Sequence, residues 1–355
     1  MNKCLAFFYC CLLFGCQKNN PTQRLDEAVS SHPMDYATKF NIQEDYLRVI
    51  EPWPGSKSAI EYKFENIPQR VVVTSTTHLP YLELLGLEDK LVGFVGTPNI
   101  YSEKINERLK AGEIKEVGIN GKINLELLLA SQPDLVIAFD LGGESTTLDK
   151  IIEAGIPIVY NSDFLEETAL GRAEWIKFFG YIFDQSLHAD SIFNSIVERY
   201  HQLKKLTQNV TERPSVFSGV VYGDTWFLPG GQNWSAQFFK DAGGTYIWGD
   251  NLKSGWLELS FETVLDRARE AQFWIGVASI NTRAELMAQD ARYGLFEAYQ
   301  NQHIYNYNKR IGKHGGFDFF ESAYARPDLV LADLISLLHP ELLPNHPTYY
   351  FQKIP

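Results

Sequence analysis

The sequence predicts an α/β protein with two Rossmann-like lobes of mainly parallel sheet, joined by one long α-helix. Three observations predict it. Short apolar or β-branched runs alternate with helical patterns in the first half of the chain, and again after Pro214. Between these halves, residues 167–207 contain no proline and no strand signal, while apolar residues recur at helical spacing. A short phrase, Asn124-Leu125-Glu126, returns as Ser260-Phe261-Glu262, and each copy opens a short helix that runs into an apolar strand.

A basic residue, Lys3, precedes an apolar run over residues 4–15. That run suits a signal-peptide core and is too short to cross a bilayer, which needs ~20 residues. It ends in Leu13-Phe14-Gly15-Cys16, which resembles the lipobox of bacterial lipoproteins, with Phe14 bulkier than usual. The resemblance implies cleavage after residue 15 and a lipid on Cys16, and so an anchor at a membrane surface. Residues 16–40 are polar and aperiodic, and read as a flexible tether.

The first lobe is expected over residues 41–166. Residues 46–50 and 60–64 alternate like half-exposed strands. Residues 70–74, 91–95, 135–138 and 156–160 are more uniformly apolar, as strands of a buried parallel sheet are. Helical patterns lie between them at 80–85, 101–111, 124–131 and 147–154. The linker helix takes residues 167–208, with Gly180 and residues 183–186 as places where it can bend or break. The second lobe, 209–355, reads as a strand at 215–221, helices at 233–242 and 260–269, and a strand at 272–277. Helices at 282–289 and 293–298, a strand at 303–306 and a closing helix at 327–338 complete it.

Composition excludes several functions. The net charge of −12 argues against a nucleic-acid partner, which wants a basic face. All four cysteines lie in the first 16 residues, so the body has neither a disulfide framework nor a Cys metal site. No GxSxG elbow, HExxH helix or phosphate-binding glycine loop is present, and the eight histidines do not cluster. The reading is a protein that is not an enzyme and has no resident cofactor or metal.

In open α/β sheets, ligands bind in loops beyond the carboxyl ends of strands. That rule selects residues 75–78, 97–101 and 140–143 in the first lobe, and 222–234, 279–283 and 313–321 in the second. The candidate ligand-binding residues there are Thr77, His78, Tyr101, Asp140, Trp226, Trp234, Arg283, Phe319 and Phe320. The aromatic ones offer walls for a large flat ligand.

With these parts in order, the chain resembles the solute-binding lipoproteins of ABC importers for iron–siderophore complexes, haem and cobalamin. The resemblance covers roughly residues 45–350. Its most specific words are Asn124-Leu125-Glu126 with Gln132-Pro133-Asp134, the helix around residues 171–176, the Gly223–Gly231 loop and the closing Arg326-Pro327-Asp328 helix. It implies a periplasmic, membrane-tethered monomer that captures a small-molecule metal complex between its lobes and delivers it to a permease dimer with its ATPase. It also implies that Glu126 and Glu262 dock on arginines of that permease. A carboxylate at a helix N-terminus is stabilised by the helix dipole, which suits such a role. For the ligand, a ferric siderophore and cobalamin rank close together. An anionic siderophore wants cations such as Arg283, Lys309, Arg310, Lys313 or Arg326. Haem ranks third and wants an axial group such as His78, Tyr101 or His314. A free-metal-binding protein is a further alternative, and a tethered hydrolase the least favoured.

Overall fold

The computed structural model describes residues 23–25, 34–119, 121–143 and 146–355. The signal peptide and Cys16 lie outside the described residues. The first four strands are β1 (Gln23–Leu25), β2 (Phe40–Ile42), β3 (Leu47–Val49) and β4 (Ala59–Tyr62), which form one antiparallel sheet in the order β1-β4-β3-β2. Alternation in β3, with Leu47 and Val49 buried and Arg48 half-buried, gives this sheet one inward face.

The first lobe follows with β5 (Val71–Val73), β6 (Leu91–Val95), β7 (Lys115–Ile119), β8 (Lys122–Ile123), β9 (Leu135–Ala138) and β10 (Ile158–Tyr160). Their order is β10-β9-β5-β6-β7-β8, parallel throughout except for the terminal β7–β8 hairpin. The uniformly apolar runs are buried on both faces, as parallel strands covered by helices must be. Val71, Val73 and Ile137 feed one core, while Val72, Val136 and Ala138 feed a second on the opposite face. Helices α1 (Leu79–Leu84), α2 (Glu103–Lys110), α3 (Leu125–Ala130) and α4 (Thr146–Glu153) make the crossovers.

The expectation of one long joining helix is corrected. Residues 167–208 fold as three helices in succession: α5 (Ala169–Glu174), α6 (Ile176–Ile182) and α7 (Ser186–Leu206). The second break falls at Asp184, whose φ of 55° is left-handed and cannot continue a right-handed helix. The break lets α6 and α7 pack against one another, so the helical pattern stays apolar on one side across both.

The tether also ends earlier than residue 40. Residues 35–39 are bound by two buried carboxylates beside α5. Glu174 accepts the backbone N–H groups of Asp35, Tyr36 and Ala37 at 3.1, 2.7 and 2.7 Å. Glu166 accepts those of Thr38 and Lys39, each at 2.9 Å. Five backbone donors are satisfied this way, a stronger arrangement than neutral pairs provide.

The second lobe runs β11 (Ser215–Phe217), β12 (Val220–Tyr222), β13 (Thr225–Pro229), β14 (Thr245–Tyr246), β15 (Trp256–Leu259), β16 (Phe273–Ile275), β17 (Ile304–Asn306) and β18 (Gln352–Lys353). Its main sheet has the order β14-β11-β16-β17-β18, parallel except for the last pair. The expected strand over 215–221 is split. Gly219 has φ of +84°, and a Cβ there would lie 2.0 Å from the Phe227 carbonyl oxygen. The chain turns there into the antiparallel sheet β12-β13-β15. Helices α8 (Trp234–Asp241), α9 (Phe261–Ala268), α10 (Arg283–Gln289), α11 (Glu297–Gln300), α12 (Asp318–Ser322) and α13 (Pro327–Leu338) complete the lobe. Its core is dominated by stacked rings, with Trp226, Trp274, Phe217 and Phe296 all within one contact of each other.

Candidate ligand pocket and docking carboxylates

A cavity of about 980 Å³ opens at the carboxyl ends of the first-lobe strands. Thr74, Ser75 and Thr76 enter it directly after β5, and Phe139, Asp140 and Leu141 directly after β9. These two segments are stitched together, since the Thr74 hydroxyl accepts the Phe139 N–H at 2.8 Å. Ser75 caps the following turn, its Oγ accepting the Thr77 N–H at 3.3 Å. Asp140 shapes its own loop by accepting the Gly142 N–H at 3.0 Å. Asn99 and the β7–β8 hairpin with Lys122 supply further polar edge.

The opposite wall comes from the second lobe: Gly315, Gly316, Phe317 and Phe320. This wall is held against the first lobe. A Cβ on Gly316 would lie 2.2 Å from the Asn99 carbonyl oxygen, so only glycine lets the two backbones approach. Arg310 pairs with Asp318 and lies over the rings of Tyr101 and Tyr349, at 4.9 and 4.1 Å. The buried Glu321 accepts the backbone N–H groups of Tyr101 and Ser102 at 2.7 and 3.0 Å. Burial pushes its carboxyl up to about 8, against the pull of those two donors.

Of the nine residues expected to bind ligand, Asp140 and Phe320 line this cavity. The others stand elsewhere, and three are corrections. Trp226 is fully buried and donates through Nε1 to the Ser218 carbonyl. It sits on β13, whose inward face fills the ring cluster. His78 is fully buried against Phe179 with no hydrogen-bond partner on either nitrogen, and burial pushes it down to about 3. It is a neutral core residue, out of reach of an axial site. Phe319 is buried, stacked on Tyr307 with centroids 4.8 Å apart. Thr77 packs behind Ser75, their hydroxyls 2.9 Å apart. Tyr101 lies under Arg310 outside the cavity lining. Trp234 faces Arg172 at 4.6 Å, and Arg283 lies over Tyr299 at 4.6 Å.

The selected loops thus contain wall residues, but different ones: Ser75, Asn99, Leu141 and Phe317. Thr74 and Phe139 were missed altogether. Both sit at the first position after a strand, a signal the strand-end rule carries when applied to the residue and not the loop. Among the described residues, no three His, Cys, Asp or Glu side chains gather to hold a bare ion. No described helix is long and apolar enough to cross a membrane.

The two repeated glutamates share one local geometry. Asn124 caps α3 by accepting the Leu127 N–H, and Ser260 caps α9 by accepting the Thr263 N–H, both at 3.1 Å. Glu126 and Glu262 therefore occupy the same position in their first turns, and both are exposed. Their surroundings differ. Glu262 accepts from Arg292 at 2.9 Å, in a smaller cavity of about 430 Å³ shared with Asp290 and Asp224. Among the described residues, no ion pair involves Glu126, and its helix neighbours Leu127 and Leu129 are exposed.

A family model described as periplasmic binding protein matches residues 71–311. A lipoprotein of Methanocaldococcus jannaschii is 24% identical over 314 residues, covering 86% of this chain and 73% of that one. A vitamin B12-binding protein of Vibrio parahaemolyticus is 25% identical over 248 residues, covering 68% of this chain and 82% of that one. Among solved structures, a possible iron-binding (periplasmic solute-binding) protein of Staphylococcus epidermidis superimposes with a TM-score of 0.60 at 17% identity, covering 77% of this chain and 100% of that one.

Proposed function

This chain belongs to the periplasmic binding protein family, and from that premise we propose that it captures a bulky metal complex of the cobalamin class between its lobes and delivers it to an ABC importer. Members of this family bind solutes and are not enzymes. The observation that carries the ligand reading is the chemistry of the pocket wall. Phe139, Phe317 and Phe320 offer flat apolar surface, while Ser75, Thr76 and Asn99 offer neutral hydrogen-bonding groups. Lys122 and Asp140 contribute opposite charges. Such a wall suits a large ligand with an amide-rich rim and little net charge. The likeness to a vitamin B12-binding protein supports it. A ferric siderophore is the second reading, and Lys122 is the feature that favours it, as a cation for an anionic chelate. Calorimetric titration with cyanocobalamin, a ferric hydroxamate and haem tests the order: cyanocobalamin is expected to bind tightest, and heat from haem alone would overturn the proposal.

Delivery is the second half of the proposal. Glu126 and Glu262 are the docking carboxylates, one per lobe, set to meet basic side chains of a permease dimer and to steer the encounter. The lipid on Cys16 would keep the protein at the membrane. Metabolic labelling with a fatty-acid analogue tests this, and Cys16→Ala should lose the label.

A further inference from the structure

We propose that Glu321 is a positioning residue for the ligand: by binding the Tyr101 and Ser102 N–H groups it latches the second-lobe wall of the pocket onto the first lobe and sets the pocket width before ligand arrives. The inference rests on this cavity being the ligand pocket. It goes further in naming one side chain, outside the lining, that fixes the distance between the two walls.

The geometry is direct. Glu321 lies on α12, in the same short segment as the wall residues Phe317 and Phe320. Its two oxygens reach the backbone immediately before α2, one to each N–H. Ser102 is the N-cap of that helix, so the carboxyl meets the positive end of α2. The wall cannot move outward without breaking both bonds and leaving a carboxyl stranded at 2% exposure. Other charged and titratable groups face this junction. Asp318 lies on α12 itself, with Arg310 and Tyr349 against it. Glu83 on α1 accepts from the Ser102 hydroxyl at 2.6 Å, Tyr101 adjoins, and Glu88 with Lys104 lies beyond. Burial raises Glu83 as well as Glu321.

The test uses the full chain and two readouts. Amide hydrogen exchange at Tyr101 and Ser102 needs no ligand; cyanocobalamin titration reports the pocket. Glu321→Ala is expected to speed both amides by roughly tenfold or more, and to weaken cyanocobalamin binding by about tenfold. Glu321→Gln keeps one acceptor. It should lose only about threefold. An Ala variant with parental exchange or parental affinity, or a Gln variant no better than the Ala variant, overturns the latch. If the parent binds no corrinoid, the ligand reading fails by itself, because faster exchange in the Ala variant still reports the latch.

Discussion

Arg292 holds Glu262 at 2.9 Å while its other nitrogens hold Asp290, and its guanidinium lies 4.0 Å over Phe261. Of the two carboxylates proposed for docking, Glu262 thus already has a cation of its own, and Glu126, among the described residues, forms no ion pair. Exposed pairs of this kind exchange partners easily, because their net strength in water is small. On the docking proposal, a permease arginine would have to replace Arg292 at Glu262, whereas at Glu126 it would meet no ion pair. The prediction is unequal weight. Glu126→Arg should reduce uptake more than Glu262→Arg, and the double variant should abolish it. Calorimetric affinity for cyanocobalamin should stay within about twofold of the parent in all three.

The clamp on residues 35–39 predicts a large stability effect. Glu174 is fully buried, binds three backbone N–H groups and pairs with Lys177 at 3.0 Å. Glu174→Ala strands all of these, and should lower unfolding free energy by about 3–5 kcal/mol. Urea unfolding measures it. Lys177 also reaches Asp35 and Asp190, so Glu174→Gln should recover part of the loss.

His78 predicts an acid-sensitive fold. Its folded value, about 3, lies below the ordinary histidine range. As pH falls from about 6.5 towards 3, the unfolded chain takes up a proton that the folded protein refuses, and stability drops by up to ~1.4 kcal/mol per pH unit. His78→Leu removes that slope. It should also leave stability at neutral pH unchanged or higher, since neither ring nitrogen has a partner. Thermal melts from pH 4 to pH 8 on both proteins check this.

Gly316 predicts a defect confined to the pocket. An added methyl at Gly316 meets the Asn99 carbonyl oxygen, so Gly316→Ala forces the walls apart at about 1–3 kcal/mol of strain. Cyanocobalamin affinity should fall by about tenfold or more. The urea midpoint should move less than for Glu174→Ala.

The elements that follow from local chemistry were readable in the sequence. The uniformly apolar Val71-Val72-Val73 and Leu135–Ala138 became central parallel strands, and Asn124 and Ser260 became true helix caps. What escaped depends on contacts between distant residues. Residues 183–186 could be read as a place where the helix bends, but that Asp184 turns left-handed could not, because the gain comes from α6 folding back on α7. The Trp226 segment looks like a loop rich in glycine, but strand pairing with β12 and β15 turns its ring inward. The strand-end rule selected loops that line the cavity, yet which side chain faces it was decided by the last peptide of each strand. Phe139 faces it because Thr74 pins that peptide, a contact 65 residues apart in sequence.

The ring cluster of the second lobe has an optical consequence. Trp226 and Trp274 stack 5.7 Å apart at 29° and are sealed from solvent, while Phe217 lies 4.9 Å from Trp274. Transition dipoles this close couple and give near-ultraviolet circular dichroism that depends on their mutual orientation. Among the described residues this indole–indole coupling belongs to the second lobe. Trp175, the sealed indole that joins the first-lobe core, packs against Phe40 in a separate environment. The coupled pair of indoles in one half of the molecule gives that half an exciton contribution whose loss on melting needs no added label.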